Sequence, residues 1–143
     1  MATLQCDIVT PEGTLFSAEA EMVVVPGAEG ELGVMPRHAP IVAQLEVGET
    51  RVRVGANEWR RFATSDGYFM VQHHAVDEGG RALVLVEGAV PAEQLDAATA
   101  QAAVEDARAR IAAADGGDDK VDRFRAERDL AHAENQLRIV QGG

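Results

Sequence analysis

The chain has 143 residues and a formal net charge of −11 at pH 7, and 46% of its residues are hydrophobic but only 4% aromatic. That much negative charge argues against a nucleic-acid partner, because phosphates reward clustered Lys and Arg, and against adsorption to an anionic lipid surface. A single cysteine, Cys6, excludes an intramolecular disulfide.

Nothing at the N-terminus, Met1-Ala2-Thr3-Leu4-Gln5-Cys6-Asp7, resembles a secretory signal. No run approaches the roughly 20 apolar residues that cross a bilayer. The expectation is a soluble intracellular protein that reaches any membrane through a partner.

Leu4, Cys6 and Ile8 alternate with Gln5 and Asp7, the period of a half-buried strand. Glu21 to Val25 is more continuously apolar. Val25 to Pro40 then carries glycines at 27, 30 and 33 and three prolines, a density of breakers that no regular helix survives. It predicts tight turns and a short strand at the surface, with Gly30 to Pro40 as a long ordered loop and apolar Leu32, Val34, Met35 and Ile41 close by. A phosphate loop would end in Gly-Lys-Ser/Thr or open a helix; Gly33 leads instead into Val34-Met35-Pro36.

Arg51-Val52-Arg53-Val54 alternates cleanly, arginines to solvent and valines inward. Gly55-Ala56-Asn57-Glu58 reads as a hairpin turn, with Trp59 to Ala63 returning. Asp66-Gly67 is a tight-turn dipeptide before Tyr68-Phe69-Met70-Val71. Ala82 to Val86, bounded by glycines, predicts a strand buried on both faces. Eight to ten short strands at this spacing predict a two-sheet β-sandwich over residues 1–90.

At Pro91 the composition turns to Ala and charged residues, and Pro suits the first turn of a helix. Ala97, Ala100, Val104, Ala107, Ile111 and Ala114 step by three and four. After a five-residue turn, Asp115 to Asp119, the stripe Ala126, Leu130, Ala133, Leu137 and Val140 repeats the pattern, with an Asp available as N-cap. Residues 91–143 therefore predict an antiparallel αα-hairpin, making the fold α+β. Its stripes bury little area, since an Ala contributes far less than the roughly 1.5–3 kcal/mol of a Val, Leu or Ile. A competing surface is expected to open it, with a break kept at Gly116-Gly117, each costing about 1 kcal/mol inside a helix.

No catalytic constellation is found. His73 and His74 would point to opposite faces of a strand, no metal-ligand spacing exists, and Cys6 reads as an inert core thiol. Ser17 and Ser65 lack a nucleophile motif, and Asp115 to Asp119 lacks the spacing of a calcium loop. No cofactor or metal is expected. The helices' Arg108, Arg110, Arg123, Arg125, Arg128 and Arg138 read first as solvated faces with i, i+4 partners such as Asp106, and alternatively as a surface for an acidic partner.

The pattern Gly27-x-Glu29-Gly30-x-x-Gly33-Val34-x-Pro36-x-His38-Ala39-Pro40 resembles the signature loop of the epsilon subunit of F-type ATP synthases. Ala43-x-Leu45-x-x-Gly48, Asp66-Gly67-Tyr68-Phe69-Met70-Val71 and Gln136-Leu137-Arg138-Ile139-Val140 extend the similarity over nearly the whole chain. It implies a non-catalytic subunit peripheral to the cytoplasmic face of a bacterial cell membrane. The sandwich would bind the gamma subunit and the c-ring through Glu29, Gly30, Glu31, Gly33, Pro36, His38 and Pro40. The hairpin would inhibit ATP hydrolysis when extended toward the alpha and beta catalytic subunits, with Arg123, Arg125 and Arg128 meeting an acidic segment. Neither nucleic acid nor direct membrane insertion is implied.

Two departures stand out. Some bacterial relatives bind ATP through Ile/Leu-Asp-x-x-Arg-Ala, where this chain reads Leu95-Asp96-Ala97-Ala98-Thr99-Ala100. Asp106, His132 and Gln136 align where further arginines would stand, so ATP binding is expected to be weak or absent. The segment Gln72 to Arg81 is longer than the family's usual turn. A nucleotide sensor on the same fold and an unrelated adaptor are the other readings.

Overall fold

In the computed structural model, which describes residues 2–73 and 79–142, short runs of Val, Leu and Phe between turn residues form ten strands. They are β1 (Leu4–Thr10), β2 (Gly13–Ala20), β3 (Met22–Gly27), β4 (Gly30–Val34), β5 (Ile41–Leu45), β6 (Gly48–Gly55), β7 (Glu58–Thr64), β8 (Gly67–Gln72), β9 (Arg81–Val86) and β10 (Ala89–Pro91). By its internal contacts the chain divides into two units, Met1–Pro91 and Ala92–Gly143.

Hydrogen bonding runs β10-β7-β6-β3-β5-β8-β9-β1-β2, with β4 on β3. The pairings are antiparallel except β1 with β9. β3 meets β5 at one residue pair, Gly27 with Leu45. The path is therefore two layers joined at that point, β10-β7-β6-β3-β4 and β5-β8-β9-β1-β2, as the two-sheet expectation required. One core fills the space between them, with Val23, Val25, Val52 and Phe62 from the first layer and Leu4, Cys6, Ile8, Phe69 and Val84 from the second. Phe16 of β2 and Phe62 of β7 tie the layers together, ring centroids 5.0 Å apart and tilted by 58°, a geometry that aromatic quadrupoles favour.

The expectation that Ala82 to Val86 is buried on both faces is corrected. Ala82, Val84 and Val86 are buried while Leu83 and Leu85 are half-buried, so one face of β9 lines the core and the other does not. Consecutive buried residues occur instead in β3, at Val23, Val24 and Val25, and in β7, at Phe62, Ala63 and Thr64. Gly30 to Pro40 is likewise not one loop: Gly30–Val34 is a strand, and 35–40 alone connects it to β5.

The second unit holds a short 3₁₀ turn (Ala92–Gln94), α1 (Ala97–Asp115) and α2 (Arg123–Gly142). Pro91 does not open the first helix; it ends β10, opposite Phe62 of β7. The helix starts later because Asp96 caps it, its Oδ2 accepting from the Thr99 backbone N at 2.9 Å and from the Thr99 hydroxyl at 2.7 Å. At the far end Gly116 N donates to Ala112 O, and Gly117 takes φ 97°, the left-handed conformation that suits a glycine past a helix.

The connection runs from Gly116 to Asp122, longer than expected, because Asp122 caps α2 through Arg125 N at 3.0 Å. Interhelical ion pairs descend along α2 as they climb α1, so the hairpin is antiparallel: Arg108 with Glu134, Arg110 with Asp129, and Asp115 with Arg123. Ala100, Val104 and Ala107 of α1 and Ala126 and Ala133 of α2 are buried, as their stripes required. Ala97 is exposed, while Leu130, Leu137 and Val140 are half-buried. Asn135 and Ile139, one turn apart on the opposite side of α2, are buried too; no stripe predicted them.

Candidate functional site

The loop motif is built on a two-residue turn, Ala28-Glu29, that closes the β3–β4 hairpin. Gly30 takes φ 124°, and a Cβ on Gly27 would lie 2.7 Å from Gly30 O, so neither position tolerates a side chain at low cost. The turn is tied to β5 by Ala28 N to Gln44 O at 2.9 Å. A shallow cavity of about 470 Å³ beside it is lined by Glu29, Glu31, Leu32, Val42 and Gln44 among others.

The structure divides the motif between two places. Glu29 and Gly30 stand at the exposed hairpin tip, whereas Pro36, His38 and Pro40 lie beyond the far end of β4, about 15 Å away at roughly 3.3 Å per residue. Glu31 and Gly33 lie between them, pointing outward. Glu31 is paired to Arg51 at 3.3 Å, and Arg51 and Arg61 both contact Glu49, at 3.6 and 2.6 Å. The outer face of β4, β3, β6 and β7 thus carries a chain of alternating charges, next to Trp59 with Arg51 and Arg53 over its ring.

At the other end, Arg37 has φ 69°, the one positive φ outside glycine among the described residues. Its N–H donates to Gly79 O at 2.9 Å, and His38 N–H donates to Met35 O at 3.2 Å. His38 Nδ1 lies 2.7 Å from Ala39 O; a carbonyl only accepts, so that nitrogen carries the proton. Arg37, His38, Ala39, Pro40 and His73 line a cleft of about 420 Å³. His73 follows the end of β8 and is exposed. His74, and with it the expectation for the adjacent pair, lies outside the described residues, as does the middle of the Gln72–Arg81 segment. The strand register on its two sides is continuous, Gln72 pairing with Arg81.

Of the four apolar residues expected beside the loop, Val34 is core and Leu32 and Ile41 are half-buried, so Met35 alone is presented to solvent, 55% exposed. The larger exposed apolar surface is Val42 and Tyr68, 69% and 56% exposed, on the outward faces of β5 and β8. Periodicity missed Val42 because Ile41-Val42-Ala43 is apolar throughout and hides which residue faces out.

Arg123 and Arg125 of α2 are engaged within the hairpin. Arg123 pairs with Asp115 and with Glu127, Arg125 lies 3.7 Å from Asp129 one turn on, and Arg128 is also partnered. Arg110 pairs with Asp129 and Asp106, and the hydrogen bond to Asp129 foremost raises the pKa of its guanidinium against the opposing effect of burial. These ion pairs are the i, i+4 and cross-helix pairs of a solvated face, weak because their partners are exposed or partly exposed.

At the position of the nucleotide motif, the Thr99 hydroxyl is used to cap the helix, and Asp106 accepts from Arg110 at 3.0 Å. Hydrogen bonds from Thr99 hold the Asp96 carboxyl below the usual range. Cys6 is fully buried, and desolvation with help from Asp7 pushes its thiol up to about 12. Among the described residues no three His, Cys, Asp or Glu side chains gather where a metal could sit, and no helix is long and apolar enough to cross a membrane.

A family model described as ATP synthase, Delta/Epsilon chain, beta-sandwich domain matches residues 3–92. The chain is 39% identical to the ATP synthase epsilon chain of Xanthomonas campestris over 141 residues, covering 99% of this chain and 94% of that one. It is 38% identical to the epsilon chain of Desulforamulus reducens, covering 97% and 98%. Among solved structures it resembles a chain in the Euglena gracilis mitochondrial ATP synthase, with a TM-score of 0.73 and 24% identity over 94% of this chain and 79% of that one. At that identity the likeness is one of fold.

Proposed function

The chain belongs to the family of ATP synthase epsilon chains, and we propose that it serves as a non-catalytic subunit of the synthase's central stalk. The observation that carries this reading is the reach of the similarity, which at 39% identity spans 99% of the chain and so includes both the sandwich and the helical hairpin. In this reading the sandwich docks on the gamma subunit and the c-ring. Glu29, Gly30, Glu31, Gly33, Pro36, His38 and Pro40 lie on the side turned to those partners, and the exposed Val42 and Tyr68 add apolar area. The subunit is held peripherally at the membrane through the complex.

The hairpin is the regulatory part. Its seam is mostly alanine and its cross-links are exposed ion pairs, so a partner that offers comparable contacts can draw it open. Extended toward the alpha and beta subunits, it would brake ATP hydrolysis, with Arg123 and Arg125 exchanging their internal carboxylates, and Arg128 its present contact, for acidic groups of those subunits. Such an exchange costs little in water, because the pairs it breaks are weak.

The test compares ATP hydrolysis by the reconstituted synthase head with the full chain and with a chain ending at Pro91. Pro91 is the right end point because β10 (Ala89–Pro91) pairs with β7 and must stay. Faster hydrolysis with the shortened chain, still bound to gamma, is expected. Equal rates would remove the brake and leave the docking role, and failure of both chains to bind gamma would sink the assignment.

A further inference from the structure

Arg37 is held in a conformation that L residues avoid and glycine adopts freely, and the structure shows what enforces it. The Arg37 N–H bond to Gly79 O and the His38 N–H bond to Met35 O fasten the backbone on both sides of the φ 69° residue. A glycine there would keep both bonds without strain. Backbone strain of this kind persists where a side chain is needed in place.

What it places is positive charge in an acidic protein. Arg37, His38 and His73 line one open cleft of about 420 Å³ with Ala39 and Pro40. Among the described residues none of the three has a carboxylate bonded to it. This contrasts with Arg51, Arg61, Arg110, Arg123 and Arg125, each of which does. Arg37 supplies a fixed charge and five N–H donors in a planar fork that fits two carboxylate oxygens. His38 has committed Nδ1 to Ala39 O, which leaves its Nε2 for a ligand. Pro40 and Ala39 add a small apolar wall.

We propose that the cleft of Arg37, His38 and His73 receives an acidic side chain of the rotor protein on which this end of the sandwich docks. The proposal rests on the docking role above and adds to it the chemistry of one contact. The Arg37 charge carries the contact and the imidazoles flank it. The chain keeps a strained arginine because the carboxylate needs it.

The experiment measures binding of the full-length chain, of Arg37→Gly and of Arg37→Lys to a rotor of gamma and c-ring lacking this subunit, at low and high salt. The unfolding midpoint of each chain is recorded alongside. Arg37→Gly should unfold at the wild-type midpoint or above it, yet bind roughly tenfold more weakly at low salt and lose part of the salt dependence. Arg37→Lys should recover most of that salt dependence. Arg37→Gly binding like wild type, a midpoint below wild type, or no recovery by Lys would each overturn the proposal. If wild type itself fails to bind the rotor, the docking reading falls and this one with it. That outcome is distinguishable, because it shows in the wild-type chain before any variant is compared.

Discussion

Arg110 of α1 lies 2.9 Å from the Asp129 carboxylate of α2, while its Nε holds Asp106 on its own helix at 3.0 Å. One guanidinium therefore clamps the next turn of the hairpin to the first. Its removal leaves two carboxylates facing each other across the seam. Arg110→Ala should raise amide hydrogen exchange throughout α1 and α2 several-fold and leave β-strand exchange unchanged. Added salt should narrow the difference between the two chains, since the pair is partly exposed and screened. Exchange in the helices that does not change would show that the clamp contributes nothing.

Ala107 is fully buried on the α1 stripe, where a small side chain sets how closely the helices approach. Ala107→Leu inserts three carbons into that seam and should destabilise the packed hairpin by about 1–3 kcal/mol. The sandwich, with its own core, should keep its unfolding midpoint. In the reconstituted synthase the same change should strengthen inhibition of ATP hydrolysis, because it weakens the packed hairpin and so favours the extended one. Weaker inhibition would mean that the packed hairpin is itself the inhibitory form.

The strands and the hairpin were legible because their burial follows simple periods, as in Leu4-Cys6-Ile8 and Ala100-Val104-Ala107. Boundaries were less so where one residue type has two uses. Pro91 suits a helix start or a strand end, and only its pairing opposite Phe62 decides. Asp96 read as part of a nucleotide motif, and it is the cap that delays α1. The loop motif was found as a string, but its division between a hairpin tip and the Arg37 turn depends on β4 forming a strand between them. Arg37 carried no signal at all, since its conformation comes from a backbone bond to Gly79, far away in sequence.

ATP should bind the free chain weakly or not at all. The Thr99 hydroxyl is committed to Asp96, whose carboxyl it holds below the usual range, and Asp106 accepts from Arg110, so carboxylates stand where a triphosphate would need cations. Isothermal calorimetry of the full-length chain with ATP and Mg²⁺ should give no saturable heat into the millimolar range. Thr99→Arg alone should not create a site, because the Asp106 charge remains. Saturable heat with the wild-type chain would show that this set of side chains suffices after all.

Cys6 couples reactivity to pH. Its side chain is fully buried in the sandwich core and its thiol is pushed up to about 12, whereas an unfolded thiol titrates near about 8.5. A raised folded value means that the contribution to stability is whole below about pH 8.5 and is lost as pH rises toward 12. In that window the unfolded chain sheds a proton that the folded chain keeps, which lowers stability by at most about 1.4 kcal/mol per pH unit. Urea unfolding of wild type and Cys6→Ala at successive pH values should therefore show the steeper alkaline decline in wild type. The thiolate is also the reactive form, so a maleimide should label the native chain only at the rate of global unfolding. Rapid labelling at pH 7, or parallel alkaline declines in the two chains, would show that the thiol is open to water.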